Sequence, residues 1–144
     1  MLISDLLKNQ VVISAAPHQT VIEVARLMVD HNIGAVPVVQ QGRLLGIFSE
    51  RDLMNRVVVA GKDPSRTQVS EVMTEDPMTV QPGDSLETCM TLMRRHGFRH
   101  LPVCLDRELS GFISLRDILL HDLNEKDDEV RMMRAYLHST PEAG

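Results

Sequence analysis

The sequence predicts an α+β fold made of two copies of one β-α-β-β-α unit, and three observations predict it. The first is a repeat. Gly34-Ala35-Val36-Pro37-Val38-Val39, then Leu44-Leu45-Gly46-Ile47-Phe48-Ser49-Glu50-Arg51-Asp52, returns 65 residues later as Arg99-His100-Leu101-Pro102-Val103-Cys104, then Leu109-Ser110-Gly111-Phe112-Ile113-Ser114-Leu115-Arg116-Asp117. Pro37 maps to Pro102, Gly46 to Gly111, Ser49 to Ser114, Arg51 to Arg116 and Asp52 to Asp117, with no gap between. The second is that in each copy a helical apolar stripe gives way to two short β-rich runs. The third is the stretch Gly61-Lys62-Asp63-Pro64-Ser65-Arg66, whose composition is that of a linker between the copies.

The elements follow in order. Ser4-Asp5-Leu6-Leu7 and Ser70-Glu71-Val72-Met73 read as matching short lead-in helices, Ser capping and an acid in the first turn. Their shift is 66, so one residue was gained or lost between lead-in and body. Val11-Val12-Ile13-Ser14 and Met78-Thr79-Val80 read as extended runs ended by proline turns at Pro17 and Pro82. Thr20 caps a helix with Glu23 as capping-box partner, and Val21, Val24, Ala25 and Met28 form its stripe. Ser85 caps the second copy, with Leu86, Cys89, Met90 and Met93 as stripe. The β-rich runs are 35–39 and 44–48 against 100–104 and 109–113, joined by short polar links of hairpin length. Each second run leads into a helix, at Ser49 and at Ser114. The chain divides into a first unit with lead-in and linker (1–66), a second unit (67–122), and a C-terminal helix and tail (123–144). Val130, Met133 and Leu137 line one face of that last helix, placed at an interface or folded back, and Thr140 to Gly144 fray.

Composition narrows the function classes. The chain has 144 residues, enough to bury about 68–70% of its unfolded surface and so to form a true core. Its net charge of −5 argues against nonspecific binding to nucleic acid or acidic membranes. No apolar run approaches the length of a membrane span, and Met1-Leu2-Ile3-Ser4-Asp5 lacks a signal peptide's basic start, so a cytoplasmic location is expected. Cys89 and Cys104 align with Val24 and Val39 and read as buried apolar thiols, without CxxC-like spacing. Met28, Met54, Met90 and Met93 fall on apolar stripes and read as core filling.

The chemistry lies in Ser-x-Arg-Asp at the junction of strand and helix. Ser followed three residues later by an acid is a capping box, and that alone explains the spacing. Three features add to it. Arginine sits inside both boxes, where a cation opposes the helix dipole. Free N–H groups of a helix start attract anions. Gly46 and Gly111 remove a side chain where a ligand could approach the strand. Arginine and amides suit a phosphate, and a carboxylate suits ribose hydroxyls.

These residues carry a resemblance. The doubled Gly-Ala-Val-Pro-Val-Val and Gly-Ile-Phe-Ser-Glu-Arg-Asp pattern, with Glu71-Val72-Met73-Thr74 and Arg99-His100-Leu101-Pro102-Val103, resembles a tandem cystathionine-β-synthase (CBS) domain pair, the Bateman module, over residues 1–122. The resemblance implies two pseudo-twofold-related units with sheets packed face to face. It implies two clefts for adenine nucleotides or adenosyl compounds, and a homodimer shaped as a flat disk. It assigns ribose to Asp52 and Asp117, and phosphate to Ser49, Arg51, Ser114 and Arg116, with help from Ser14 and Thr79. Adenine would lie along Ala35-Val36-Pro37 and His100-Leu101-Pro102. The resemblance also turns Arg99 toward phosphate where the first copy has Gly34, which implies that the clefts are not equivalent.

The expected function is a regulatory module binding AMP, ADP, ATP, NAD or S-adenosylmethionine, with no obligatory cofactor. Its rivals are a ligand-free interaction module, in which the capping boxes are only caps, and a regulatory subunit of a separately encoded enzyme or transporter. A catalytic role stands third: no P-loop, GxGxxG, GxSxG or nucleophile with its base is present. His96 and His100 are spaced like a helical metal pair but straddle Gly97 and a strand start, so no metal is expected there.

Overall fold

The computed structural model describes residues 1–139, with side chains in the last helix described except at 124, 125, 128 and 136–139. The chain runs α1 (Ile3–Leu6), α2 (Val21–His31), β1 (Ala35–Gln40), β2 (Arg43–Ser49), α3 (Glu50–Asp52) continuing as a π-helical stretch (Leu53–Val58), α4 (Val69–Val72), β3 (Thr74–Glu75), α5 (Leu86–His96), β4 (His100–Leu105), β5 (Glu108–Ser114) and α6 (Leu115–Ser139). The α+β tandem expected from the sequence is what forms.

Local signals explain the shared elements. Thr20 Oγ1 accepts from Glu23 N at 3.3 Å and Ser85 Oγ from Thr88 N at 3.1 Å, satisfying a first-turn N–H of α2 and of α5. Both helices end in the left-handed region, at Asn32 (φ 52°) and at its counterpart Gly97 (φ 71°). The hairpins β1–β2 and β4–β5 turn on Gln41-Gly42 and Asp106-Arg107, all four at positive φ, the type I′ geometry that matches strand twist. The sheet order is β1-β2-β5-β4, with β3 added to β2. The two hairpins, expected face to face, are joined at one corner by the pair Arg43↔Glu108.

Several expectations are corrected. Ser4 and Ser70 are not caps: the N-caps are Leu2 and Gln68, whose N–H groups donate to Asp5 Oδ2 (3.2 Å) and Glu71 Oε2 (2.9 Å). The first strand of each unit shrinks to one parallel bridge, at Ala15 and at Val80. Ala15 N donates to Pro37 O and Val39 N to Ala15 O; Val80 repeats this with Pro102 and Cys104. The ladder stops there because Pro37 and Pro102 have no N–H with which to extend it. Met28 and Met93 are buried and Met90 packs against the core, but Met54 is 64% exposed. Leu53 and Val57 take the core-facing side of its helix. Finally, the last helix of the second unit and the C-terminal helix are one element, α6, which runs unbroken through Asp122 for 25 residues. Val130 and Met133 on it are exposed rather than folded back. Leu137's side chain and residues 140–144 lie outside the described residues.

The cores show how the units are tied. One cluster joins Val21, Val24 and Met28 of α2 with Val36, Val38, Phe48 and Val57, and it includes Val69, Val72 and Met73 of the second lead-in. The other joins Cys89 and Met93 of α5 with Leu101, Val103, Ile113 and Ile118, and it includes Ile3 of the first lead-in. Backbone bonds match: Ile3 N donates to Asp84 O at 2.9 Å, and Val69 N to Gln19 O at 2.8 Å. Each lead-in therefore serves the other unit's core. In space, 1–66 and 67–122 are not separate bodies.

Candidate functional site

Each second strand hands over to a helix at a serine, and both junctions are built alike. Asp52 N donates to Ser49 Oγ (3.2 Å) while Ser49 N donates to Asp52 Oδ2 (3.0 Å). Asp117 N donates to Ser114 Oγ (3.0 Å) while Ser114 N donates to Asp117 Oδ2 (3.2 Å). Both are complete capping boxes. The first helical N–H of each is also taken, Glu50 N by Gly34 O at 3.0 Å and Leu115 N by Arg99 O at 2.8 Å. Of the free amides expected for phosphate, those of Glu50, Asp52, Leu115 and Asp117 are thus already used. Arg51 and Arg116 hold the position between them, exposed.

Beyond the boxes the two carboxylates part company. Asp52 is only 7% exposed. It also accepts from Ser49 Oγ at 3.1 Å and from Thr74 Oγ1 at 3.2 Å, and pairs with Arg56 at 3.7 Å. Arg56 in turn donates to Met73 O at 2.7 Å. Asp117 is exposed, and among the described residues the one hydrogen bond it accepts comes from Ser114 N. It lines a cavity of about 450 Å³ between the α1 turn, β5 and α6, shared with Asp5, Lys8, Gln10, Ile113 and His121. That volume lies in the ~300–1,000 Å³ range of small-molecule sites.

The other expected residues are placed unevenly. Ser14 and Thr79 are exposed beside the bridge residues Ala15 and Val80, and among the described residues no hydrogen bond joins them to either box. Ala35, Val36, Pro37, Leu101 and Pro102 are buried strand residues. The Pro37 and Pro102 carbonyls already accept from Ala15 N and Val80 N. Arg99 is exposed. His100 stacks on Phe112 with centroids 5.5 Å apart. Burial lowers its pKa, opposed by the Asp117 and Glu50 carboxylates and reinforced by Arg99. His96 stacks on Phe98 instead, and no described group of His, Cys, Asp and Glu has a metal-binding arrangement.

The close approaches at Gly46 and Gly111 are made by protein. A Cβ on Gly46 would lie 2.5 Å from Thr74 O and 2.8 Å from Met73 Sδ, and one on Gly111 would strike Leu7. At both glycines the exchanged lead-in, and not a ligand, makes the close approach that the missing side chain allows. Sequence reasoning missed Thr74, Arg56, Lys8 and Gln10. Thr74 ended a motif already noted and Lys8 is its counterpart at the 66-residue shift, whereas nothing local marked Arg56 or Gln10.

Comparison with known proteins agrees with this architecture. The CBS domain family model matches residues 3–59 and 69–124. The chain is 37% identical over 124 residues to the CBS domain-containing protein YhcV of Bacillus subtilis, covering 86% of this chain and 87% of that one. It is similar to the CBS-domain containing protein ATU1752 from Agrobacterium tumefaciens, with TM-score 0.76, 34% identity, and coverage of 85% and 99%. It is also similar to the CBS domain protein PAE2072 from Pyrobaculum aerophilum complexed with AMP, with TM-score 0.74, 28% identity, and coverage of 84% and 97%. With two matched copies joined through exchanged lead-ins, the chain belongs to the CBS domain family.

Proposed function

We propose that this chain is a regulatory sensor module that binds an adenine-containing ligand between its units and catalyses no reaction of its own. The ligand is an adenine nucleotide (AMP, ADP or ATP), or an adenosyl compound such as S-adenosylmethionine or NAD. One observation carries this: an exposed carboxylate, Asp117, stands at a strand-to-helix junction beside Arg116 and lines a cavity of about 450 Å³. The AMP held by the Pyrobaculum aerophilum relative supports the same class. Asp52 and Asp117 are the candidates for ribose. Ser49, Arg51, Ser114, Arg116 and Arg99 are those for phosphate, with Ser14 and Thr79, and the strands at Ala35–Pro37 and His100–Pro102 those for adenine. A ligand touching both units biases their placement, and that differential contact is the signal. The module acts as a homodimer in the cytoplasm.

A ligand-free interaction module is the second reading, favoured by the completeness of both capping boxes. Mass spectrometry of small molecules released on denaturation, followed by titration calorimetry with AMP, ATP, NAD and S-adenosylmethionine, decides between them. An adenine compound bound at micromolar affinity is expected. No released compound and no heat with any of the four would leave the interaction module.

A further inference from the structure

We propose that Asp52 is a structural clamp for the exchanged lead-in, and that Asp117 alone serves the ligand, giving one ligand site per chain. This rests on the adenine-ligand reading above and divides its two clefts. A carboxylate offers about four acceptor positions. Asp52 commits three to Ser49 N, Ser49 Oγ and Thr74 Oγ1, and pairs with Arg56 besides. Thr74 belongs to the lead-in of the other unit, and Arg56 bonds that same segment at Met73 O. Asp52 therefore holds the 73–74 segment onto the first unit from two directions. A ribose reaching it would have to break bonds that tie the units together.

The strands strengthen the contrast. On the Asp52 side the lead-in continues as β3, pairing Thr74 with Ile47 and Glu75 with Gly46. The counterpart of Ile47 is Phe112. On the edge of β5 away from β4, a single side-chain amide among the described residues takes the strand's place: Gln10 donates to Phe112 O (2.6 Å) and accepts from Phe112 N (3.0 Å). The counterpart of Thr74 is Lys8, which makes no bond to Asp117 and lines the cavity with it. One cleft is thus sealed by ladder and clamp. The other is left open, its wall held by one exposed glutamine.

The test uses the full chain, with AMP and S-adenosylmethionine as titrants and melting of the ligand-free protein as a parallel readout. Wild type is expected to bind one ligand per chain. Asp117→Asn should weaken binding about ten- to a hundredfold with the melting temperature unchanged. Asp52→Asn and Thr74→Val should each lower the melting temperature by about 4–8 °C, and Thr74→Val, a residue outside the ligand candidates, should hold affinity within about twofold. Thr74→Val leaves the carboxylate in place and carries the test if Asp52→Asn does not fold. Two ligands per chain, or loss of affinity in Asp52→Asn without loss of stability, overturns the assignment. If wild type binds neither titrant, the adenine reading has failed. Melting then decides the clamp alone, and equal melting temperatures for Asp52→Asn and Asp117→Asn overturn it.

Discussion

Arg116 separates a cap from a site at the scale of one residue. It occupies the first turn of α6, where a cation opposes the helix dipole, and it is exposed. Its removal should leave the ligand-free protein as stable as before or slightly more so. If it meets phosphate, Arg116→Ala should weaken ATP by about tenfold, AMP less, and adenosine not at all, as titration calorimetry would show. Equal affinities of wild type and variant for all three would leave the guanidinium without a ligand role. Cys89 makes a different residue-scale case. It is fully buried in the second core, and burial, with the nearby Asp84 carboxylate, pushes its thiol up to about 11. A raised pKa means the fold favours the neutral thiol. That stabilisation is complete below the unfolded thiol's value of about 9 and is lost as pH rises through about 11. Denaturant midpoints should therefore fall between pH 9 and 11 more in wild type than in Cys89→Ala. Parallel pH profiles for the two proteins would refute the assignment.

The two glycines at equivalent positions of the repeat, Gly46 and Gly111, show what an element demands of a sequence. Gly46 sits under the backbone carbonyl of Thr74, which β3 pairing fixes, whereas Gly111 sits under the flexible end of Leu7. Gly46→Ala should cost about 1–3 kcal/mol through forced backbone movement. Gly111→Ala should cost clearly less, because a leucine tip can rotate away. Urea unfolding of both variants checks the order, and a costlier Gly111→Ala would reverse the account. Much at this scale was legible in the sequence. The hairpins, the α2 and α5 caps and the Ser-x-Arg-Asp junctions follow from local chemistry repeated at a constant shift. What was not legible depends on partners distant in the chain. The glycines could be read as room for a ligand because nothing near Gly46 announces Thr74 O. The first strands failed for a related reason: their β-rich residues are correct, but Pro37 and Pro102 opposite them withhold the N–H that a longer ladder needs. Asp52 and Asp117 look identical in sequence, and what the exchanged lead-ins bring to each, Thr74 to one and Lys8 to the other, together with Arg56 beside Asp52, makes one a buried junction and the other an open carboxylate.

For the whole molecule, the repeat that builds the fold also repeats what the fold leaves uncovered. Met54 and Val58 on the helix after β2 are 64% and 66% exposed. Their counterparts at the 65-residue shift, Leu119 and Leu123 on α6, are 46% and 62% exposed. Ile118, beside Leu119, is buried, so the helix has a satisfied inner face and an apolar outer one. Val59 and Leu120 widen the two bands, at 77% and 49% exposure. Apolar residues exposed in bands of this kind on a small protein mark an interaction site. Because both units carry it at equivalent positions, a second copy related by a two-fold axis can cover both bands in one self-complementary contact. A homodimer through these helices is therefore expected, and its stability should rise with protein concentration. Charging the two bands together, as Val58→Glu with Leu123→Glu, should release monomers in sedimentation at about 50 μM while sparing the buried cores, since each glutamate enters at an exposed position. Circular dichroism of the variant should keep the wild-type helical signal. Wild type sedimenting as a monomer at that concentration, or the charged variant remaining a dimer, would move the partner of these bands elsewhere.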